Sequence, residues 1–211
     1  MSITGLLKII DILYLILGLV VFLLYRDFLI YLVLVGGVYF LLSALYKAYS
    51  IGFDTLRGKF WVILSGFGLL GPGLFLHSYI LSTTGRLFLL IAVLFMLLGI
   101  IKQGFKFRGL KLFVYLLVAI IVIAITFLAV KGTGYSILVV WIIDILIFLI
   151  ILANFLAFLG GEMGRRWSGA LLAVLFYLIG DLLYFYGLEY VSFASYILTF
   201  FLTNLLAHVE D

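Results

Sequence analysis

Among the ionisable side chains that interrupt long apolar runs in this chain are His77, Asp144 and Asp181. A charge inside a hydrocarbon-length segment costs about 2.5–3.5 kcal/mol on insertion scales, so each calls for a partner or a purpose. An imidazole and two carboxylates at one depth would suit general acid–base chemistry, a proton relay, or recognition of a polar head group. Tyr177 and Tyr184 lie one helical turn either side of Asp181 and are candidate donors to it. The plainer alternative is that each polar group is separately satisfied between packed helices. A second polar set comprises Lys8, Asp11, Gln103, Asn154 and Asn204. Lys8 and Asp11 are spaced to pair on one helix face, and this set reads as structural glue.

The elements that must position these groups are transmembrane helices. The chain has 211 residues, 68% hydrophobic and 10% charged, whereas soluble chains are about 45–50% apolar and about 25% charged. Eight continuous apolar runs are expected at residues 3–25, 28–50, 60–83, 87–103, 110–130, 135–159, 167–187 and 190–208. Each suffices to cross a core of about 30 Å at about 1.5 Å per residue. None alternates with period two, which excludes a barrel reading. The expected fold is an all-α, polytopic integral membrane bundle of eight transmembrane helices, forming one domain over 1–211. On this threading, His77, Asp144 and Asp181 fall in the outer halves of spans three, six and seven, within about 5 Å of one level.

Basic residues set the orientation. Ten of the thirteen fall in loops or span ends on the side of the termini, and Arg26, Arg86 and Lys131 on the other. The positive-inside rule then puts both termini in the cytoplasm. Aromatic residues near span ends, such as Tyr46, Trp61, Trp167 and Tyr190, read as interfacial anchors. The first run is too long for a signal-peptide core.

Span three is rich in small residues: Gly66, Gly68, Gly71, Pro72 and Gly73. The G-x-G-x-x-G phrase follows no strand, so it is not a dinucleotide loop. Pro72 removes a helix hydrogen bond and kinks the span, and the glycines favour close packing by another helix. The Ile-Ile-Asp-Ile-Leu phrase at 9–13 recurs at 142–146, which chance explains in so Ile- and Leu-rich a chain.

Several functions are excluded. The chain has no cysteine, so thiol chemistry, disulfides and cysteine metal sites are out, and its two histidines leave little for a histidine-based metal site. No P-loop, H-E-x-x-H or G-x-S-x-G occurs. The net charge of +4 is scattered in short loops, not gathered into a nucleic-acid surface. No cofactor or metal is expected. The expected partner is membrane lipid, as surroundings and as a lipid-like substrate or ligand. The expected location is the plasma membrane, as a multi-pass protein.

Gly169-Ala170-Leu171-Leu172 followed by Phe176-Tyr177-Leu178-Ile179-Gly180-Asp181 is similar to a G-a-L-L-F-x-L-S-D phrase, and Tyr196 to Asn204 resembles a Y-x-x-x-Q phrase in the last helix. Both belong to the YhhN family, the lysoplasmalogenase-like eight-helix membrane proteins. The resemblance implies eight spans and lipid hydrolysis at a vinyl ether, with Asp181 as acid or base. The family's first aspartate, in L-L-G-D-V-L-L, corresponds here to Pro72 within Leu69-Leu70-Gly71-Pro72-Gly73-Leu74-Phe75. Its later A-H-L-L-Y phrase corresponds to Leu98-Gly99-Ile100-Ile101. A catalytic reading therefore takes Asp181, with Asp144 replacing the lost carboxylate and His77 assisting. The Gly180 to Tyr184 phrase also resembles membrane domains of some bacterial sensors. Three functions follow as expectations: a membrane-embedded lipid hydrolase, a non-catalytic sensory or ligand-binding module, and a proton-coupled transporter.

Overall fold

The computed structural model describes residues 3–102, 109–131, 135–159 and 162–208. Among them the regular structure is helical: α1 (Ile3–Leu24), α2 (Leu29–Ile51), α3 (Leu56–Ser65), α4 (Leu70–Phe75), α5 (Tyr79–Lys102), α6 (Leu110–Val130), α7 (Tyr135–Ala157), α8 (Glu162–Phe185) and α9 (Glu189–Ala207). A 3-10 turn at Gly66–Leu69 joins α3 to α4, making one broken span. The described residues thus hold eight segments long and apolar enough to cross a membrane, as a multi-pass membrane protein requires.

The core lies where α2, the third span, α7, α8 and α9 converge, with Phe40, Phe67, Leu70, Tyr177, Tyr196 and Phe200 almost fully buried. Helix α6 packs mainly on α7 and turns Phe113, Ile120 and Phe127 outward, as lipid contact demands. The glycines of the third span do what small residues do at helix interfaces. A Cβ on Gly37 of α2 would lie 2.6 Å from the Gly68 carbonyl oxygen and 2.8 Å from Gly71 Cα. Backbone meets backbone here, without side chains between.

Span three ends earlier than the sequence suggests. The apolar run continues past residue 77, but α4 stops at Phe75. His77 adopts φ +49°. Its N–H bonds to the Leu74 carbonyl (3.1 Å), and the Ser78 N–H bonds to that of Gly73 (2.8 Å). This pair of bonds around a left-handed residue is a Schellman cap. Helix α5 therefore begins at Tyr79, and Arg86, expected in a loop, lies inside it. Left-handed backbone costs a residue with a Cβ about 1–2 kcal/mol. Changing His77→Gly should raise stability by about 1 kcal/mol, read as a higher melting temperature in detergent; an unchanged or lower value would mean that the imidazole contributes.

Candidate functional site

The carboxylates of α7 and α8 meet, and a guanidinium that sequence reasoning places elsewhere joins them. Asp144, Asp181 and Arg86 are 0%, 8% and 4% exposed. Arg86 Nη2 donates to Asp181 Oδ1 at 2.7 Å, and its Nε lies 3.4 Å from Asp144 Oδ1. Its Nη1 donates to Ser82 Oγ, one turn back on α5. Tyr177 OH donates to Asp144 Oδ1, and Tyr196 OH to Asp181 Oδ1. The Tyr177 ring also lies 5.6 Å from the guanidinium carbon, within cation–π range. Four helices, α5, α7, α8 and α9, are tied through one arginine.

Local sequence explains the placement. A Cβ on Gly85 would sit 2.8 Å from the Leu70 backbone nitrogen. Helix α5 is thus pressed onto the third span, and the next residue, Arg86, is carried into the interior. Arg86 lies seven residues into α5, about 10 Å from the helix start. Gly180 plays the matching part on α8. A Cβ there would meet Tyr196 Cε1 at 2.8 Å; without one, the ring lies flush and its hydroxyl reaches Asp181. Ser192 Oγ donates to the Gly180 carbonyl at 2.8 Å, fixing α9 against the same point. The Gly-Asp pair is therefore one packing unit.

Of the three expected site residues, Asp144 and Asp181 come together and His77 does not. His77 is an exposed residue of the cap between α4 and α5, because the early helix end lifts it out of the span. The expected donor Tyr184 is also elsewhere, its ring 6.2 Å from that of Phe193. Tyr196, from the last helix, takes its place. Arg86 escapes sequence reasoning because the apolar run past residue 77 leaves it looking like a loop cation.

The second polar set is dispersed among helix contacts. Asp11 does not depend on Lys8: its Oδ2 lies 2.7 Å from His208 Nδ1, with both residues buried. This joins α1 to the end of α9. Ser43 Oγ donates to Asn204 Oδ1 at 2.5 Å, and Asn154 Nδ2 to the Ile150 carbonyl at 2.8 Å. Gln103 lies outside the described residues. No cluster of three or more metal-ligating acids or histidines occurs among the described residues.

Beside the ionic cluster lies a cavity of about 210 Å³, between α2, the third span, α5, α7, α8 and α9. Its inner walls are apolar, with Phe67, Leu89, Val93 and Val174 among them, and Lys47, Arg57 and Arg166 stand at the bundle end that carries the termini. Tyr177 also lines it, while Arg86, Asp144, Asp181 and Tyr196 do not. The ring of Tyr177 is thus the cluster's contact with the cavity, and the carboxylates lie behind it. No family model, curated protein or solved structure matches this chain.

Proposed function

We propose that this chain is a non-catalytic ligand-binding module of the plasma membrane, with both termini cytoplasmic. Its cavity holds the apolar part of a membrane amphiphile, and the Arg86–Asp144–Asp181 cluster fixes the helices around it. The supporting observation is that, among the described residues, no carboxylate lines the cavity, where Tyr177 is the cluster's contact. A general acid must reach the reacting atom directly or through one water, and here each aspartate is turned to arginine and tyrosine. The orientation rests on the excess of basic residues at the terminal end, which grows once Arg86 is counted inside a span. The resemblance to the YhhN family is kept as a proposal of common ancestry in a lipid-handling fold, without its chemistry.

The test is lipid retention. Protein purified from membranes should carry a bound amphiphile in native mass spectrometry. Ala170→Phe or Val93→Phe, which fill the cavity, should lose it while the protein stays folded. Release of aldehyde from a lysoplasmalogen by the purified protein, abolished in Asp181→Asn, would overturn this reading in favour of a hydrolase.

A further inference from the structure

The ionic cluster is one positive charge short. Arg86 from α5 faces two carboxylates, Asp144 from α7 and Asp181 from α8, and no other cation reaches either of them among the described residues. One guanidinium against two ionised carboxylates leaves a negative charge in the buried interior, where an uncompensated charge is costly. The hydrogen bonding is incomplete at the same place. Asp181 Oδ1 accepts from Arg86 Nη2 and from the Tyr196 hydroxyl, and Asp144 Oδ1 accepts from the Tyr177 hydroxyl. Asp144 Oδ2 and Asp181 Oδ2 are also buried, but have no hydrogen-bond partner among the described residues. The two carboxyl groups stand within hydrogen-bonding reach of each other. The surrounding helices bring nothing else to balance the charge. Tyr177 from α8 and Tyr196 from α9 are already donors to the pair. The third span brings Phe67, its ring 5.7 Å from that of Tyr177, and it does not titrate. Helix α6, which also packs on α7, has its titratable side chains, Lys111 and Tyr115, in its first two turns.

We propose that the cluster is a proton-binding site: one proton is held between the two aspartates, bonded to Asp144 Oδ2 and donated to Asp181 Oδ2. Binding it forms one O–H bond on Asp144 and takes the cluster from one negative charge to none. Asp181 is the anion, because it makes the shorter contact with the guanidinium, 2.7 Å against 3.4 Å for Asp144. The neutral Asp144 keeps Oδ1 as the carbonyl oxygen that accepts from Tyr177. All four carboxyl oxygens then have a partner, as buried polar atoms require. Two carboxyl groups this close resist ionising together, and sharing one proton is how such pairs resolve the repulsion. The assignment is independent of what fills the cavity. The proton is a ligand of the bundle core, held where four helices meet, and its loss would set a bare negative charge between α7 and α8.

Infrared spectroscopy of the full chain in dodecyl maltoside, a detergent without a carbonyl group, reads the proton directly. At a pH of about 7 the wild type should show the carbonyl stretch of a protonated carboxyl, identified by its shift on isotopic labelling of aspartate. An aspartate with the ordinary pKa of about 3.9 is ionised at that pH and gives no such band. Asp144→Asn should remove the band, and so should Asp181→Asn, because either change leaves one carboxylate to one guanidinium and balances the charge without a proton. Circular dichroism and a monodisperse elution report that the variants are folded, and the wild-type spectrum decides even where they are not. Absence of the band from the wild type at that pH overturns the proposal. A band that survives either substitution also overturns it, since the acid would then be another aspartate or one protonated without its partner. A band that vanishes when sodium replaces potassium at constant pH and ionic strength gives the site to a metal cation in place of the proton, and overturns it too.

Discussion

Arg86→Leu should destabilise the protein more than any other single substitution considered, by about 3–5 kcal/mol, the usual loss when one partner of a buried ion pair is removed. The change leaves Asp144 and Asp181 buried together with no cation. It also removes the group that joins α5 to both α7 and α8. Arg86→Lys should recover only part of the loss. A single ammonium cannot reproduce a planar fork that reaches Ser82, Asp144 and Asp181 at once. The decisive variant is the triple change Arg86→Leu, Asp144→Asn and Asp181→Asn, which removes cation and anions together. It should be markedly more stable than Arg86→Leu alone, because the penalty lies in the uncompensated charges. Thermal unfolding of the four proteins in one detergent measures this. A triple variant no better than Arg86→Leu would show that the arginine acts through packing, not charge.

Gly37→Ala should cost about 2–3 kcal/mol, at the upper part of the range for overpacking. Helix propensity predicts the opposite sign, since alanine gains about 0.5–1 kcal/mol over glycine in a helix interior. Backbone atoms decide the outcome: the added methyl would stand 2.6 Å from the Gly68 oxygen and 2.8 Å from Gly71 Cα. Neither can swing aside like a side chain. Gly99, inside α5, offers open space instead, with nothing within 4 Å of where a methyl would stand. Gly99→Ala should accordingly stabilise by the propensity difference, about 0.5–1 kcal/mol. Melting temperatures that move in opposite directions for the two substitutions would confirm the contact; a shared upward shift would refute it.

Length and apolar continuity made the eight spans legible, because a hydrocarbon-thick helix leaves an unmistakable run of residues. The end of span seven was legible for a local reason. Gly187 takes φ +74° in a cap whose bonds run from Gly187 to Tyr184 and from Leu188 to Leu183, and glycine at that position is the familiar stop signal. The end of span three uses the same cap with His77 in glycine's place. Histidine tolerates left-handed backbone better than most side chains but does not announce it. One disguised stop moved the boundary of α5 and hid Arg86. Asp144 and Asp181 were identifiable as charges out of place. Their pairing needed helix neighbours that no local pattern encodes: Tyr196 reaches Asp181 from α9, and Tyr177 serves Asp144 instead of the aspartate on its own helix. The pairing of Asp11 with His208 spans 197 positions, far beyond any periodicity.

The arginine clamp also bears on how the protein is made. Arg86 is synthesised 58 residues before Asp144 and 95 before Asp181, so α5 must enter the bilayer while its cation has neither partner. A lone arginine opposes insertion by about 2.5–3.5 kcal/mol at a helix centre, whereas each Leu, Ile, Phe or Val there favours it by about 0.3–0.6 kcal/mol. Helix α5 carries fourteen of these four residue types, enough to take the cation in unaided. During translation the charge waits near one end of its helix, and the arrival of α7 and α8 converts a tolerated burden into the joint that closes the bundle.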